Sequence, residues 1–183
     1  FIHVPNNWKS LGNNRVMSLM GDKKGKPWVG YQDDGLINLD LKSEQFQHFN
    51  TGIYVKQPGY TFWQSFKDSN TKVWLGTRND RLIICDPEKG VIKQFLHDPL
   101  YKTSIPDNNI RTMLEDPVGK FWIGTDNHGI AKLDLSTGQF ETLINEPEKA
   151  NTISSNSIKS LHLENNQLWI GTNGGGLNRL DLN

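Results

Sequence analysis

A chain of 183 residues is long enough for one domain with a buried core, but only 35% of it is hydrophobic, which suits narrow apolar stripes on short strands better than long helices. Twenty basic residues balance twenty acidic ones, so no net field draws the chain to nucleic acid or to an anionic membrane surface. The single cysteine, Cys85, excludes an internal disulfide framework and any zinc site built from several thiolates, and no apolar run approaches the roughly 18 residues of a membrane span.

The chain opens on Phe1-Ile2-His3-Val4-Pro5 with neither a start methionine nor a signal peptide, so it reads as a section of a longer protein. The first apolar run begins at Val16 and is followed, across the turn Asp22-Lys23-Lys24-Gly25, by Lys26-Pro27-Trp28-Val29-Gly30. Apolar run, Asp/Gly turn, apolar run predicts a β-hairpin, strands A and B. A third strand, C, spans Leu36 to Leu41, and a fourth, D, carries Phe46 and Phe49.

The pattern then returns. Strand A begins again at Phe62, Ile110 and Ile158, and Trp28 recurs as Trp74, Trp122 and Trp169, each in a Trp-x-Gly context, at spacings of 46, 48 and 47 residues. Strand C returns at Leu82 to Asp86, Ile130 to Leu135 and Leu177 to Leu182; strand D returns at Val91 to Phe95 and Phe140 to Ile144. Units of this length with four antiparallel strands predict an all-β fold of β-propeller blades, because one small twisted sheet buries both faces only by stacking on copies of itself. No helix longer than about two turns is expected. The repeated Trp is expected to fill the gap between neighbouring blades. Cys85 holds the strand C position of Leu39, Leu133 and Leu180, and so reads as a core residue.

The fourth copy ends at Asn183 without strand D, while Phe1 to Pro5 lines up with Phe95 to Pro99 and Leu143 to Pro147. The register is therefore circularly permuted, with repeats at about 13–56, 57–106, 107–155 and 156–183, and 1–5 as the outer strand of a C-terminal blade. An unpaired edge at strand C would be adhesive. Phe1 to Val4 is thus expected to pair with a C-terminal blade, within the chain or in a second copy; the second case gives an eight-bladed homodimer, and a closed four-bladed monomer is the alternative.

Two stretches, Ile110 to Thr125 (IRTMLEDPVGKFWIGT) and Leu168 to Asp181 (LWIGTNGGGLNRLD), resemble the two-component regulator propeller repeat. The inter-blade segments Asn6 to Asn14, Pro99 to Asn109 and Pro147 to Asn156 resemble that family's Pro/Asn-rich connection into strand A. The resemblance implies a large propeller outside the cytoplasmic membrane that senses a ligand, often a polysaccharide breakdown product. It also implies an output module elsewhere in the protein, a hybrid histidine kinase or a diguanylate cyclase. Copy two departs from the pattern, with Arg81 in place of Gly35, Gly129 and Gly176, and with Trp63 in strand A.

Catalytic chemistry has little support in the residues. The five histidines, His3, His48, His97, His128 and His162, show no metal-ligand spacing, and only His3 and His97 are equivalent. Asn173-Gly174-Gly175-Gly176 joins two strands without a helix N-terminus, so it is a tight loop and no phosphate cradle. Asp116-x-x-Gly119-x-x-Trp122 and the matching turn at Asp22 resemble the Asp-box of sialidase-type propellers, where the motif is a structural hairpin; no arginine triad accompanies it. Leu133 to Gln139 resembles part of the quinone-dependent dehydrogenase repeat, but its Trp falls in the wrong phase. No cofactor, metal or catalytic residue is assigned. The reading is a non-catalytic, periplasmic or extracellular sensor, with a protein-interaction or structural scaffold as the alternative.

In propellers, the loops that enter strand A and those joining B to C converge on one face. The second position of strand A varies among apolar neighbours: Met17, Trp63, Arg111 and Lys159. One reading is that these side chains merely line a wet channel. The sharper one is that Arg111 and Lys159 meet carboxylate or sulfate groups while Trp63 stacks on a sugar ring. The B–C loops add Tyr31, Asp33, Arg78, Asp80, Arg81, Asp126, Asn127, His128 and Asn173 to the expected ligand-binding set.

Overall fold

The computed structural model describes residues 1–7, 9–21, 26–32, 36–49 and 61–183. The turn Asp22 to Gly25, together with Asp33 and Gly35, lies outside the described residues. Blade 1 is formed by β1 (Val16–Gly21), β2 (Pro27–Tyr31), β3 (Leu36–Asp40) and β4 (Gln45–Phe49). Blade 2 is formed by β5 (Phe62–Lys67), β6 (Val73–Thr77), β7 (Leu82–Asp86) and β8 (Gly90–Phe95). Blade 3 comprises β9 (Ile110–Glu115), β10 (Phe121–Thr125), β11 (Ile130–Asp134) and β12 (Gln139–Leu143), and blade 4 comprises β13 (Ile158–Glu164), β14 (Gln167–Thr172) and β15 (Leu177–Asp181). Each sheet is an antiparallel meander in chain order, and no helix occurs among the described residues. The chain forms two compact units, Phe1–Gln94 and Phe95–Asn183, each holding blades that pack on one another.

Packing within each unit follows from the strand pattern. Strands β6, β7 and β10 are buried along their whole length. In the first unit, Trp28 and Leu36 of blade 1 pack on Phe62, Val73, Leu75, Ile83 and Cys85 of blade 2. In the second, Trp122 and Ile130 of blade 3 pack on Ile158, Leu168 and Ile170 of blade 4. These two tryptophans therefore fill an inter-blade gap, as their repetition implies. The strand A residues of neighbouring blades adjoin, β1 on β5 and β9 on β13. Their closeness explains the glycine of Trp-x-Gly: a Cβ on Gly124 would lie 2.6 Å from methyl groups of both Thr112 and Ile158, inside any real carbon contact.

The Asp-box turns are held by their carboxylates. Asp116 Oδ2 accepts the Trp122 indole N–H at 3.0 Å while Oδ1 accepts the backbone N–H of Val118 and Lys120. Asp68 does the same in blade 2, taking Trp74 Nε1 at 2.8 Å and Lys72 N at 2.7 Å. Here Thr71, with φ of 67°, stands where blade 3 has Gly119. Blade 4 lacks this aspartate, and Trp169 is only half-buried.

The N-terminal segment keeps the repeat phase its alignment gives. His3 N–H donates to Asn14 Oδ1, and its Nδ1 meets the Leu11 carbonyl at 2.6 Å. His97 makes the same two contacts with Asn108 and Ile105, and Asn145 makes them with Asn156 and Ile153. A carbonyl can only accept, so both imidazoles carry their proton on Nδ1. The repeat phase is thus fixed, and Phe1 corresponds to Phe95 and Leu143, the last residues of β8 and β12. Phe1 also stacks edge-on to Phe46 at 5.4 Å, as Phe95 does to Phe140 at 5.1 Å. Ile2 to Val4 fall beyond strand phase and fold onto residues 10–14, with Val4 N–H on Ser10 Oγ. A strand D borrowed from this segment would have one ladder position, and β15 has only β14 as a neighbour.

Paired charges close the B and C strand ends of the first unit. Lys26 meets Asp40 at 2.7 Å, and Lys72 meets Asp86 at 2.6 Å. The Lys72 hydrogen bond, with help from the Glu88 and Lys89 backbone N–H groups, holds the Asp86 carboxyl down to about 2. Asp40 is depressed too, with Lys26 as the main cause. A depressed carboxyl stabilises the fold above its unfolded value of about 4, and that contribution disappears as pH falls through the folded value. Stability is therefore expected to decline from pH 4 toward 2, and Asp86→Asn should flatten that part of the profile in urea titrations run at stepped pH. An unchanged profile would contradict the assignment.

Candidate functional site

The variable second residue of strand A owes its position to a break in the ladder. In the A–B pairing of each blade the register skips one residue, and the skipped residues are Met17, Trp63, Arg111 and Lys159. A β-bulge leaves its extra residue outside the pairing and re-aims the side chain. This is why the position tolerates an apolar, an aromatic and two cationic side chains while its neighbours Phe62, Ile110 and Ile158 remain buried.

A second residue accompanies each bulge. The first residue after strand B donates its N–H to the carbonyl just before strand A: Gln32 to Arg15, Arg78 to Thr61, Asp126 to Asn109 and Asn173 to Ser157. This bond sets the loop residue beside the bulge residue of its own blade. In the first unit, the Arg78 guanidinium lies over the Trp63 ring, 5.3 Å from its centroid, a cation–π pair. A sugar stacking on Trp63 would have to share the ring with Arg78 or take the other face.

In the second unit the bulge residues are charged and meet one carboxylate. Arg111 Nε donates to Asp126 Oδ1 at 2.8 Å, and Lys159 Nζ reaches the same oxygen at 3.4 Å. The Arg111 hydrogen bond is the largest reason the Asp126 carboxyl is held below its ordinary value; partial burial opposes it, and Lys159 adds to the lowering. Arg111 and Asp126 belong to blade 3 and Lys159 to blade 4, so this cluster also ties two blades together.

The remaining expected residues divide. His128, exposed, places Nδ1 3.2 Å from the buried Asp107 and stacks on His97 at 6.2 Å. Asp107 also accepts the N–H groups of Asn109 and Asn127, so it braces the loop from below; nothing in its local sequence distinguished it. Asn173, in the same blade as Lys159, is exposed. Arg81 is bound by Asp80 at 2.7 Å and by Gln94 at 2.6 Å. Gln94 lies in β8, the sheet edge opposite β5, so Arg81 is not assembled with Trp63. Tyr31 is corrected: it ends β2, is wholly buried, and packs with Val29, Ile37, Leu39 and Phe46. Its counterparts Thr77, Thr125 and Thr172 clamp their loops through Oγ1, so the position is structural in every blade. Cys85 is buried with its thiol pushed up to about 12, the state of a packing residue.

Two clefts between blades 3 and 4, of about 370 and 610 Å³, lie beside β15 at Leu143, Leu180 and Asp181. They arise where blade 4 has three strands, and no bulge residue lines them.

Four antiparallel meanders of one repeat, with a bulge at the same place in each, define an array of β-propeller blades. Residues 104–127 match the family model described as two component regulator propeller. Along its whole length it is similar, at 27% identity and a TM-score of 0.78, to the extracellular domain of BT3049 from Bacteroides thetaiotaomicron, a candidate hybrid two-component system. The chain spans 22% of that structure. The corresponding domain of BT4673 from the same organism matches 93% of the chain at 24% identity and a TM-score of 0.77, again over 22% of its own length. PorZ, a surface component of the type-IX secretion system of Porphyromonas gingivalis, shares the fold over 94% of the chain and 26% of its own length, at 18% identity and a TM-score of 0.67. No curated protein matches the chain.

Proposed function

We propose that this chain is a ligand-sensing section of an extracytoplasmic propeller in a two-component signalling protein of the hybrid histidine kinase type. It binds an oligosaccharide or another small polar ligand and carries no catalysis of its own. The observation that supports this most is the bulge series: one backbone device presents four different side chains on otherwise equivalent blades. Repetition of a scaffold with a different side chain at the bulge of each blade suits recognition, where each blade contributes its own contact. The full-length likeness to an extracellular two-component domain supports the compartment and the signalling role.

The test is a thermal-shift and calorimetric screen of the purified chain against neutral and acidic oligosaccharides. A bound ligand raises the melting temperature by mass action, and the rise should shrink in Trp63→Ala or Arg111→Gln. Steady hydrolysis or oxidation of a saccharide by the chain would overturn the reading, and a screen in which no glycan binds would overturn its oligosaccharide part.

A further inference from the structure

The outer half of blade 1 holds a pocket of about 490 Å³, apart from the bulge residues and from the clefts beside β15. Asn38, Gln45 and Gln47 line it, together with Lys26, Asp40 and Ser43. Asn38 is 7% exposed, and its Nδ2 is buried without a hydrogen-bond partner. A buried amide nitrogen in that state has given up its hydrogen bonds to water and gained none from the fold. The other blades avoid this cost at the same strand position. Blade 2 buries the apolar Ile84 there, blade 3 sets Lys132 over the Trp122 ring and 3.9 Å from Glu141, and blade 4 sets Arg179 over the Trp169 ring. Blade 1 instead places an amide, with a second one, Gln47, directly opposite it on β4.

We infer that this pocket binds a neutral polyhydroxylated molecule of monosaccharide size, with Asn38 Nδ2 donating to one of its hydroxyl oxygens. The site goes beyond the bulge series and does not depend on it. A hydroxyl group both donates and accepts at one atom, and an amide side chain carries both functions, so Asn38, Gln45 and Gln47 suit a ring of hydroxyls. Gln45 and Gln47 are exposed, which places them at the mouth of the pocket. The charged part of the wall selects against ions. Lys26 Nζ meets Asp40 Oδ2 at 2.7 Å, so the two charges cancel; an incoming carboxylate would face Asp40 and an incoming ammonium would face Lys26. The volume lies within the range of small-molecule sites.

Titration of the isotope-labelled chain with glucose, and separately with galactose, followed by the nitrogen–proton NMR signals of its side-chain amides, tests this. The Asn38 Nδ2 signals, identified by their absence from Asn38→Ile, should move with at least one of the two sugars. Asn38→Ile, which imports the residue of blade 2, should weaken binding on the order of tenfold. It should also raise the melting temperature of the free chain by about 2–4 °C, because an unsatisfied buried group is removed. An Asn38 that serves only the fold gives the opposite result, a lower melting temperature with binding unchanged, and that would overturn the inference. Gln47→Ala, at an exposed position, leaves the core intact and should weaken binding severalfold. Glucuronate and glucosamine should bind more weakly than the neutral sugar; tighter binding of either would overturn the neutral assignment. So would Asn38 signals that neither sugar moves overturn the site itself. A glycan found in the screen above whose affinity ignores Asn38→Ile and Gln47→Ala would remove this site and leave the sensor reading standing. Glucose or galactose binding that is lost in Asn38→Ile, with every oligosaccharide inert in that screen, would do the reverse.

Discussion

Replacing Trp122 by alanine is expected to destabilise the second unit by about 3–5 kcal/mol, the usual cost of emptying a large aromatic site in a packed core. Trp122 is 4% exposed and is the blade 3 residue around which Ile158, Leu168 and Ile170 of blade 4 close. Two effects add in this substitution. The apolar volume between the blades is lost, and the buried Asp116 loses the indole N–H that satisfies its Oδ2. Trp122→Phe separates them, since it retains most of the volume and removes only the donor. Its cost should be about 1–3 kcal/mol, the penalty of an unsatisfied buried acceptor. Trp169, half-buried, gives the comparison within one chain: Trp169→Ala should cost on the order of 1–2 kcal/mol. Urea denaturation with unchanged slope would measure all three. If Trp122→Ala proved no worse than Trp169→Ala, the inter-blade role assigned to the repeated tryptophan would be wrong.

Gly129→Ala is expected to cost about 2–4 kcal/mol, although it adds a single methyl group. Gly129 has φ of 75°, where an L side chain is strained, and its Cβ would stand 2.2 Å from the carbonyl oxygen of Leu143. That oxygen belongs to the backbone at the end of β12, so it has no rotamer by which to withdraw. Gly129 also donates its N–H to Asn156, in the connection to blade 4, so a shift to relieve the clash would strain that link as well. Position 81 in blade 2 is the control. There the left-handed conformation has moved to Asn79, with φ of 62°, and Arg81 is free of that constraint. Arg81→Gly should therefore change stability by well under about 1 kcal/mol beyond the loss of its contacts with Asp80 and Gln94. Equal effects at 81 and 129, read from melting temperatures, would show that loop geometry does not distinguish the two blades.

The sequence by itself determined the repeat, the strand order and the roles of the large apolar residues. Short apolar runs set between turns and a near-constant spacing of tryptophans are properties of the chain taken a few residues at a time, and they survive folding because each blade is a local meander. Cys85 could be placed in the core by phase alone. Tyr31 could have been, since it aligns with Thr77, Thr125 and Thr172, but its polar tip and its place at a loop argued for the surface. For Phe1 to Val4 the side chains gave the repeat phase, and the hydrogen bonds of His3 and Val4 then place all but Phe1 in the connecting loop.

Tertiary structure alone decided the geometry of the candidate site. A bulge is a mismatch between two strands, so no single strand records it; the sequence marked Met17, Trp63, Arg111 and Lys159 as variable without showing that each is the residue left out of the ladder. The partners of those residues lie fifteen residues away, as Arg78 and Asp126, or across a blade boundary, as Asp126 does for Lys159. A charge cluster of this kind depends on the distance between neighbouring strands A, which is set by how closely the blades pack. That distance is fixed by contacts such as those of Gly124 with Thr112 and Ile158, and it exists only once the blades have stacked.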